Sequence, residues 1–280
     1  MSFPRTTVAG VSLPRLLIGS NWMHGYSHKS NGTDTYIKNL HASGDETAAI
    51  LKAFLKHGID AWMAAFSTKP NPEDLVKMYQ DKVGQKLILI DTPVLNMDDT
   101  PAARKESEDI IKMSAKIGST FCMIHHASCE QLVNRNKKTM DRLGDYTDMI
   151  RQAGLIPGLT AHMPEIVIYT DLNGYDVETY VQIFNCMGFL MQIEIESVIK
   201  TIHGAKKPVM TIKPMAAGRV TPYVGLTFNF NVLRDQDMVT VGCLHEHEVD
   251  EDVEISLAAL EHRLPNLEAR SSPAKQSIIR

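Results

Sequence analysis

The chain has 280 residues, 44% of them hydrophobic, with a formal charge of -4 and no long basic run. A full-sized core fits in that length, and the charge balance excludes nucleic acid and an anionic membrane surface as main partners, so a small-molecule ligand is expected. No apolar run approaches the roughly 20 residues that span a bilayer, and the opening MSFPRTTVAG has no hydrophobic signal region, so a cytoplasmic protein is expected.

In chain order, short apolar runs alternate with amphipathic stretches. The first run, 15–19, is followed by a polar insertion rich in Ser, Asn and Thr at 25–43, read as a lid. Gly44, Asp45 and Glu46 then open a helix over 47–57, in which Ile50, Leu51, Phe54 and Leu55 follow helical spacing and Gly58 closes the element. Further strands are predicted at 60–64, 86–90, 120–124, 156–160, 179–183, 209–212 and 238–241, with helices at 106–117, 140–153 and 250–260. About eight strands separated by helices predict an α/β fold, a single (β/α)8 TIM barrel spanning 1–280. The stretch 264–280 is polar and basic and predicts no regular structure. Cys122, Cys129, Cys186 and Cys243 form no CxxC pair and are expected reduced, and fifteen methionines predict a plastic interior or a Met-lined pocket.

Barrel active sites are built where the strands end at their carboxyl side. There the sequence places Asn21, His24 and His28 after the first strand, Asp91 after the third, and His125 and His126 after the fourth. His162 and Glu165 follow the fifth, Asn185 the sixth, and Lys213 and Arg219 the seventh. One reading is a divalent metal ion held by His24, Asp91, His125 and His162 with one position open to water or substrate. Another is that the same histidines are organic acids and bases, or hydrogen-bonded structural groups. Strand alternation turns His126 away from the mouth, and Pro164 with Glu165 reads as helix-start chemistry. Lys213 could act as a desolvated base or Schiff-base amine, or as an ammonium paired with Asp91 or a substrate anion. Asn21, Trp22, Asn185 and Arg219 are candidate substrate contacts. His245 and His247, with Glu246 and Glu248, read as a solvated helix start.

The stretch Val209 to Pro222, VMTIKPMAAGRVTP, resembles the seventh strand and following loop of the aldo/keto reductase superfamily. Further points of similarity are Arg5 to Val11, Leu17-Ile18-Gly19-Ser20, Gly58-Ile59-Asp60, Ile124-His125 and Val239-Thr240-Val241-Gly242. The resemblance implies a barrel of aldo/keto reductase type, its bottom plugged by an N-terminal hairpin. That family reduces carbonyls with a nicotinamide and a set of Asp, Tyr, Lys and His; at the matching positions this chain has Met63, Thr68, Asp91 or Pro93, and His125. The expectation is therefore an enzyme that has left nicotinamide chemistry. It would perform lyase or isomerase chemistry on a small sugar-like or hydroxy-acid substrate, with His125, His162 and Lys213 as catalytic groups. Two alternatives stand beside it: an NADPH-dependent reductase with Tyr26 or Tyr36 as proton donor, and a catalytically silent barrel that binds a metabolite or a partner protein. Homo-oligomerisation is left open.

Overall fold

The structure is a computed structural model that describes residues 2–267. It begins with an antiparallel hairpin, β1 (Arg5–Val8) and β2 (Val11–Pro14), followed by β3 (Leu16–Ile18), α1 (Asn21–His24), α2 (Asn31–Leu40), α3 (Asp45–Lys56), β4 (Ala61–Ala64) and α4 (Pro72–Val83). Then come β5 (Ile88–Asp91), α5 (Pro101–Lys116), β6 (Phe121–Ile124), α6 (His126–Cys129), a small ribbon of β7 (Val133–Asn134) and β8 (Thr139–Met140), and α7 (Leu143–Gln152). The last part comprises β9 (Ile156–Ala161), α8 (Pro164–Asn173), β10 (Thr179–Ile183), α9 (Ile195–Gly204), β11 (Val209–Ile212), α10 (Pro222–Val232), β12 (Met238–Val241) and α11 (His247–Leu260).

Eight strands close into a parallel barrel in the order β3, β4, β5, β6, β9, β10, β11, β12, with β12 returning to β3 through Val239↔Leu16 and Val241↔Ile18. It is a (β/α)8 barrel with an N-terminal hairpin. Each predicted strand overlaps an observed one because its apolar residues serve two layers at once. One set, Leu17, Ala61, Met63, Ile90, Phe121, Met123, Val181, Met210 and Met238, fills the lumen, and Val8 and Leu13 of the hairpin join the same cluster. The other set faces the helices, as Trp62, Leu89, Ile124 and Tyr180 do. Four methionines thus pack inside the barrel, where their flexible thioethers fill an irregular space. Gly158 is needed there: a Cβ would collide with the Met123 thioether and lie 2.9 Å from the Thr179 carbonyl.

Some boundaries differ from expectation for local reasons. Helix α5 starts at Pro101 because the Thr100 hydroxyl accepts from Ala103 N and Pro suits the first turn. Helix α7 starts at Leu143 because Met140 is drawn into the β7–β8 ribbon. The polar insertion at 25–43 contains a capped helix, α2, whose Ser30 hydroxyl accepts from Thr33 N and whose Ile37 is fully buried. The expectation for the tail lies, from residue 268 onward, outside the described residues. All four cysteines are free thiols, three of them buried. Among the described residues, no helix is long and apolar enough to cross a membrane.

Candidate functional site

At the carboxyl ends of the strands lies a cavity of about 700 Å³. Its wall carries five histidines (His24, His28, His125, His126, His162) and two lysines (Lys69, Lys213), and no aspartate or glutamate among the described residues lines it. In a chain with a formal charge of -4, the two lysines concentrate positive potential at one place.

Lys213 sits at the exit of β11. Met210 and Ile212 face the lumen cluster, so continued alternation would send residue 213 outward toward the helices. Instead Lys213 has a left-handed backbone, φ 61°, and lines the cavity. Ala216 and Ala217 are also left-handed, at 48° and 56°, ahead of Gly218 at 75°. Non-glycine residues in this region carry roughly 1–3 kcal/mol of strain each, which the surrounding structure must hold in place. Helix α10 does so by close approach: a Cβ at Gly225 would lie 2.7 Å from the Pro214 carbonyl oxygen. The Lys213 ammonium has no hydrogen-bond or ion-pair partner among the described residues, and burial brings its pKa down to about 8.

The opposite wall is built by β6 and β9. His125 extends the sheet, donating its backbone N–H to Pro93 O at 3.0 Å, and its ring Nδ1 accepts from Ala127 N at 3.3 Å. Ile124 O accepts from both the Thr160 hydroxyl (3.1 Å) and the Cys129 thiol (3.2 Å), which fixes the exit of β6 against β9. The His125 and His126 rings are 4.2 Å apart, and His126 stacks on His162 at 3.8 Å and 16°. Desolvation first, then the neighbouring His126 and Lys213, lowers His125 to about 4 and His162 to about 3. His126 is lowered by desolvation and Lys213. The imidazoles are therefore neutral at pH 7, which suits the stacking of His126 on His162 with His125 tilted beside them.

Of the expected site residues, His24, His125, His162, Lys213, Asn21 and Trp22 line the cavity. Three do not. Asp91 is fully buried behind the wall, where its Oδ1 accepts from Phe66 N (2.7 Å) and Ser67 N (3.3 Å). It follows the lumen-facing Ile90, so alternation points it outward, and burial raises its pKa. It pairs with neither Lys213 nor a histidine, so the set His24, Asp91, His125 and His162 is not assembled. Asn185 is consumed by its own loop, accepting from Met187 N and Phe189 N and donating to Phe189 O. Arg219 is a strap: it donates to Ala216 O (3.2 Å) and His28 O (3.0 Å), and its guanidinium lies 4.1 Å from the centre of the Phe189 ring.

His126 corrects the reading in the other direction. The strand ends at Ile124 and α6 begins at His126, so strand alternation no longer applies and the ring faces the cavity. Glu130, not singled out from sequence, stands one helical turn on from His126, a spacing that brings the two side chains together. Lys69 was also missed; its ammonium lies 5.0 Å from the centre of the Tyr26 ring, and both residues line the cavity. Tyr36 does not line it. At the start of α11, His245 is held by Glu46 at 2.8 Å and stacks with His247, while Glu248 accepts from Leu244 N. Glu165 is paired with Arg135.

No protein-family model and no curated protein matches this sequence. Solved structures do match in fold. A Pseudomonas aeruginosa protein assigned to the aldo-keto reductases superposes with a TM-score of 0.64 at 13% identity, covering 91% of this chain and 96% of that one. The fold is that of the aldo-keto reductases. A glycerol dehydrogenase from Gluconobacter oxydans gives a TM-score of 0.59 at 13% identity, covering 97% of this chain and 99% of that one. An aldo-keto reductase complexed with NADPH gives 0.52 at 11% identity, covering 96% and 90%. At such identities the likeness is one of architecture. Of the residues that the sequence resemblance sets at that family's Asp, Tyr and Lys positions (Met63, Thr68, and Asp91 or Pro93), Met63 and Thr68 line the cavity and Asp91 lies behind it.

Proposed function

We propose that the protein is an enzyme of the lyase or isomerase class acting on a small anionic carbonyl compound, with Lys213 as the amine that forms an imine. The observation that supports this most strongly is a partly buried lysine with no anionic partner, facing a cavity without acidic lining. With a pKa near 8, roughly a tenth of Lys213 is the free amine at pH 7, against about one part in 3,000 for an ordinary lysine. The uncharged form is the nucleophile.

In the proposed step, the Lys213 amine adds to the substrate carbonyl, one proton is taken up from solvent and water leaves, giving a protonated imine. That cation accepts the electron pair released when a neighbouring C–H or C–C bond breaks. The neutral imidazoles of His125 and His162 take and return the proton. The uncompensated positive potential of the wall favours a substrate that carries a carboxylate or phosphate. Incubation with small oxoacids and aldehyde phosphates, followed by borohydride reduction, should add one substrate mass to Lys213, and Lys213→Met should abolish the adduct. No adduct with any of these substrates in the wild type would reject the reading.

A second reading, NADPH-dependent reduction, draws on Tyr26 and Lys69 meeting in the same cavity and on the NADPH complex of a fold neighbour. Enhanced fluorescence of NADPH on mixing, lost in Tyr26→Phe only at the level of turnover, would favour it.

A further inference from the structure

His126 and Glu130 have a chemistry that the imine reading leaves unused, one that would draw His162 from proton transfer to ligation. His126 opens α6 and Glu130 lies four residues on, which returns its carboxylate to the ring: Oε1 stands 3.4 Å from His126 Nδ1. The pair faces each other without hydrogen-bond geometry, and both atoms are buried from water with no other partner. Two buried polar atoms left unsatisfied side by side are costly and call for a third group to pair with them. His162 supplies the next donor. It leaves β9, which pairs with β6 in register at Ile124↔Leu159, and its ring lies on that of His126. One donor atom from each of His126, Glu130 and His162 lies within 4.8 Å of the other two.

We propose that His126, Glu130 and His162 bind one divalent transition-metal cation of the zinc type, with its remaining coordination position open to the cavity. Two neutral imidazoles and one carboxylate form a donor set suited to such an ion, and three protein ligands leave room for water or a substrate oxygen. The spacing is wider than the bound state requires. Drawing the donors to about 2.1 Å from a common centre needs rotation of the Glu130 side chain and an unstacking of the His126 and His162 rings, so that both in-plane lone pairs point at one ion. Glu130 is partly exposed and free to make that turn. The fixed exits of β6 and β9, joined through Ile124 O, hold both histidines in place for it. His24 and Asp91 have no part in this set. The site does not rest on imine formation at Lys213, and the two are read by different measurements.

The test uses the full chain after chelator treatment, titrated with Zn²⁺ by calorimetry and with Co²⁺ by visible absorption. The expected result is one ion per chain at micromolar affinity or tighter, with the intense cobalt bands of a four-coordinate site. Glu130→Gln, nearly isosteric and part-exposed, should weaken binding roughly 100-fold, and His126→Ala at least as much. His24→Ala should leave affinity unchanged, as should the double variant His245→Ala/His247→Ala, which removes the other histidine cluster. Absence of stoichiometric binding would overturn the proposal. So would equal affinity in Glu130→Gln, or loss only in the His245/His247 variant. Borohydride trapping at Lys213, run on the same metal-free samples, reports separately on the imine.

Discussion

The two ends of one barrel treat buried charge in opposite ways. At the amino-terminal end, Asp237 is fully buried and fully satisfied. Its carboxylate accepts from Val209 N (2.9 Å), Arg234 N (3.1 Å), and Arg234 Nε and Nη2 (2.8 and 2.7 Å), while its carbonyl accepts from Arg15 Nε. Arg234 also donates to Ala205 O and Lys207 O, tying three strand connections together. At the carboxyl end several polar groups lack such partners among the described residues: His24 Nε2, His126 Nδ1 and Glu130 Oε1 are buried without a hydrogen bond, and no carboxylate lines the cavity beside Lys213. One end is complete in itself and stabilises the fold. The other leaves buried polar atoms unpaired.

The largest effect should come from breaking the complete end. Asp237→Ala leaves the part-buried Arg234 without its anion and Val209 N without its acceptor, and should destabilise the protein by about 3–5 kcal/mol in urea denaturation. Lys213 chemistry should be spared in whatever fraction remains folded.

The incomplete end should respond with the opposite sign. Lys213→Met should remove imine trapping while raising stability at pH 7 by up to about 3 kcal/mol, because a charge held at a cost is replaced by an apolar chain. The folded pKa, about 8, lies below the unfolded value of 10.5, so between them the unfolded chain binds more protons and wild-type stability rises with pH. The advantage of the variant should therefore be constant below pH 8 and shrink toward pH 10.5. A destabilised Lys213→Met would contradict the comparison.

Acid should penalise the mouth as well. His24, stacked near Trp62 and lowered to about 4 mainly by desolvation, must stay neutral while the unfolded chain protonates near 6.5. Stability should fall by up to about 3 kcal/mol from this group as pH drops from 6.5 to 4. His24→Phe should flatten the slope of urea midpoint against pH in that window.

The smallest expected effect concerns the strap. Arg219→Ala loses a hydrogen bond to His28 O that joins the β11 loop to residues 25–43, one within its own loop to Ala216 O, and a cation–π contact with Phe189 of the loop after β10, and should cost about 1–2 kcal/mol. Faster hydrogen exchange confined to 25–43 and 213–219 would show that the two segments depend on each other.

Much of the fold was legible because barrel strands are written in apolar runs of the right length, and because glycine and proline punctuate the helices between them. What escaped was local. Helix α2 has one fully buried residue, Ile37, so its sequence reads as polar loop. The β7–β8 ribbon of two residues a side is too short to show a period. Within the site, His125 and His162 were legible as strand-end residues. Asp91 and His126 were misplaced by one and the same uncertainty, whether a residue next to a strand end still obeys alternation: Asp91 does and turns outward, His126 does not and turns in.

The sequence alone determined that eight strands would alternate with helices and that the polar residues following them would gather at one end, because period and punctuation are local properties of the chain. Tertiary structure decided which of those residues meet. The left-handed turn at Lys213, the helical turn joining His126 to Glu130, and the lateral pairing of β6 with β9 set the directions of side chains far apart in sequence, and no local pattern encodes them.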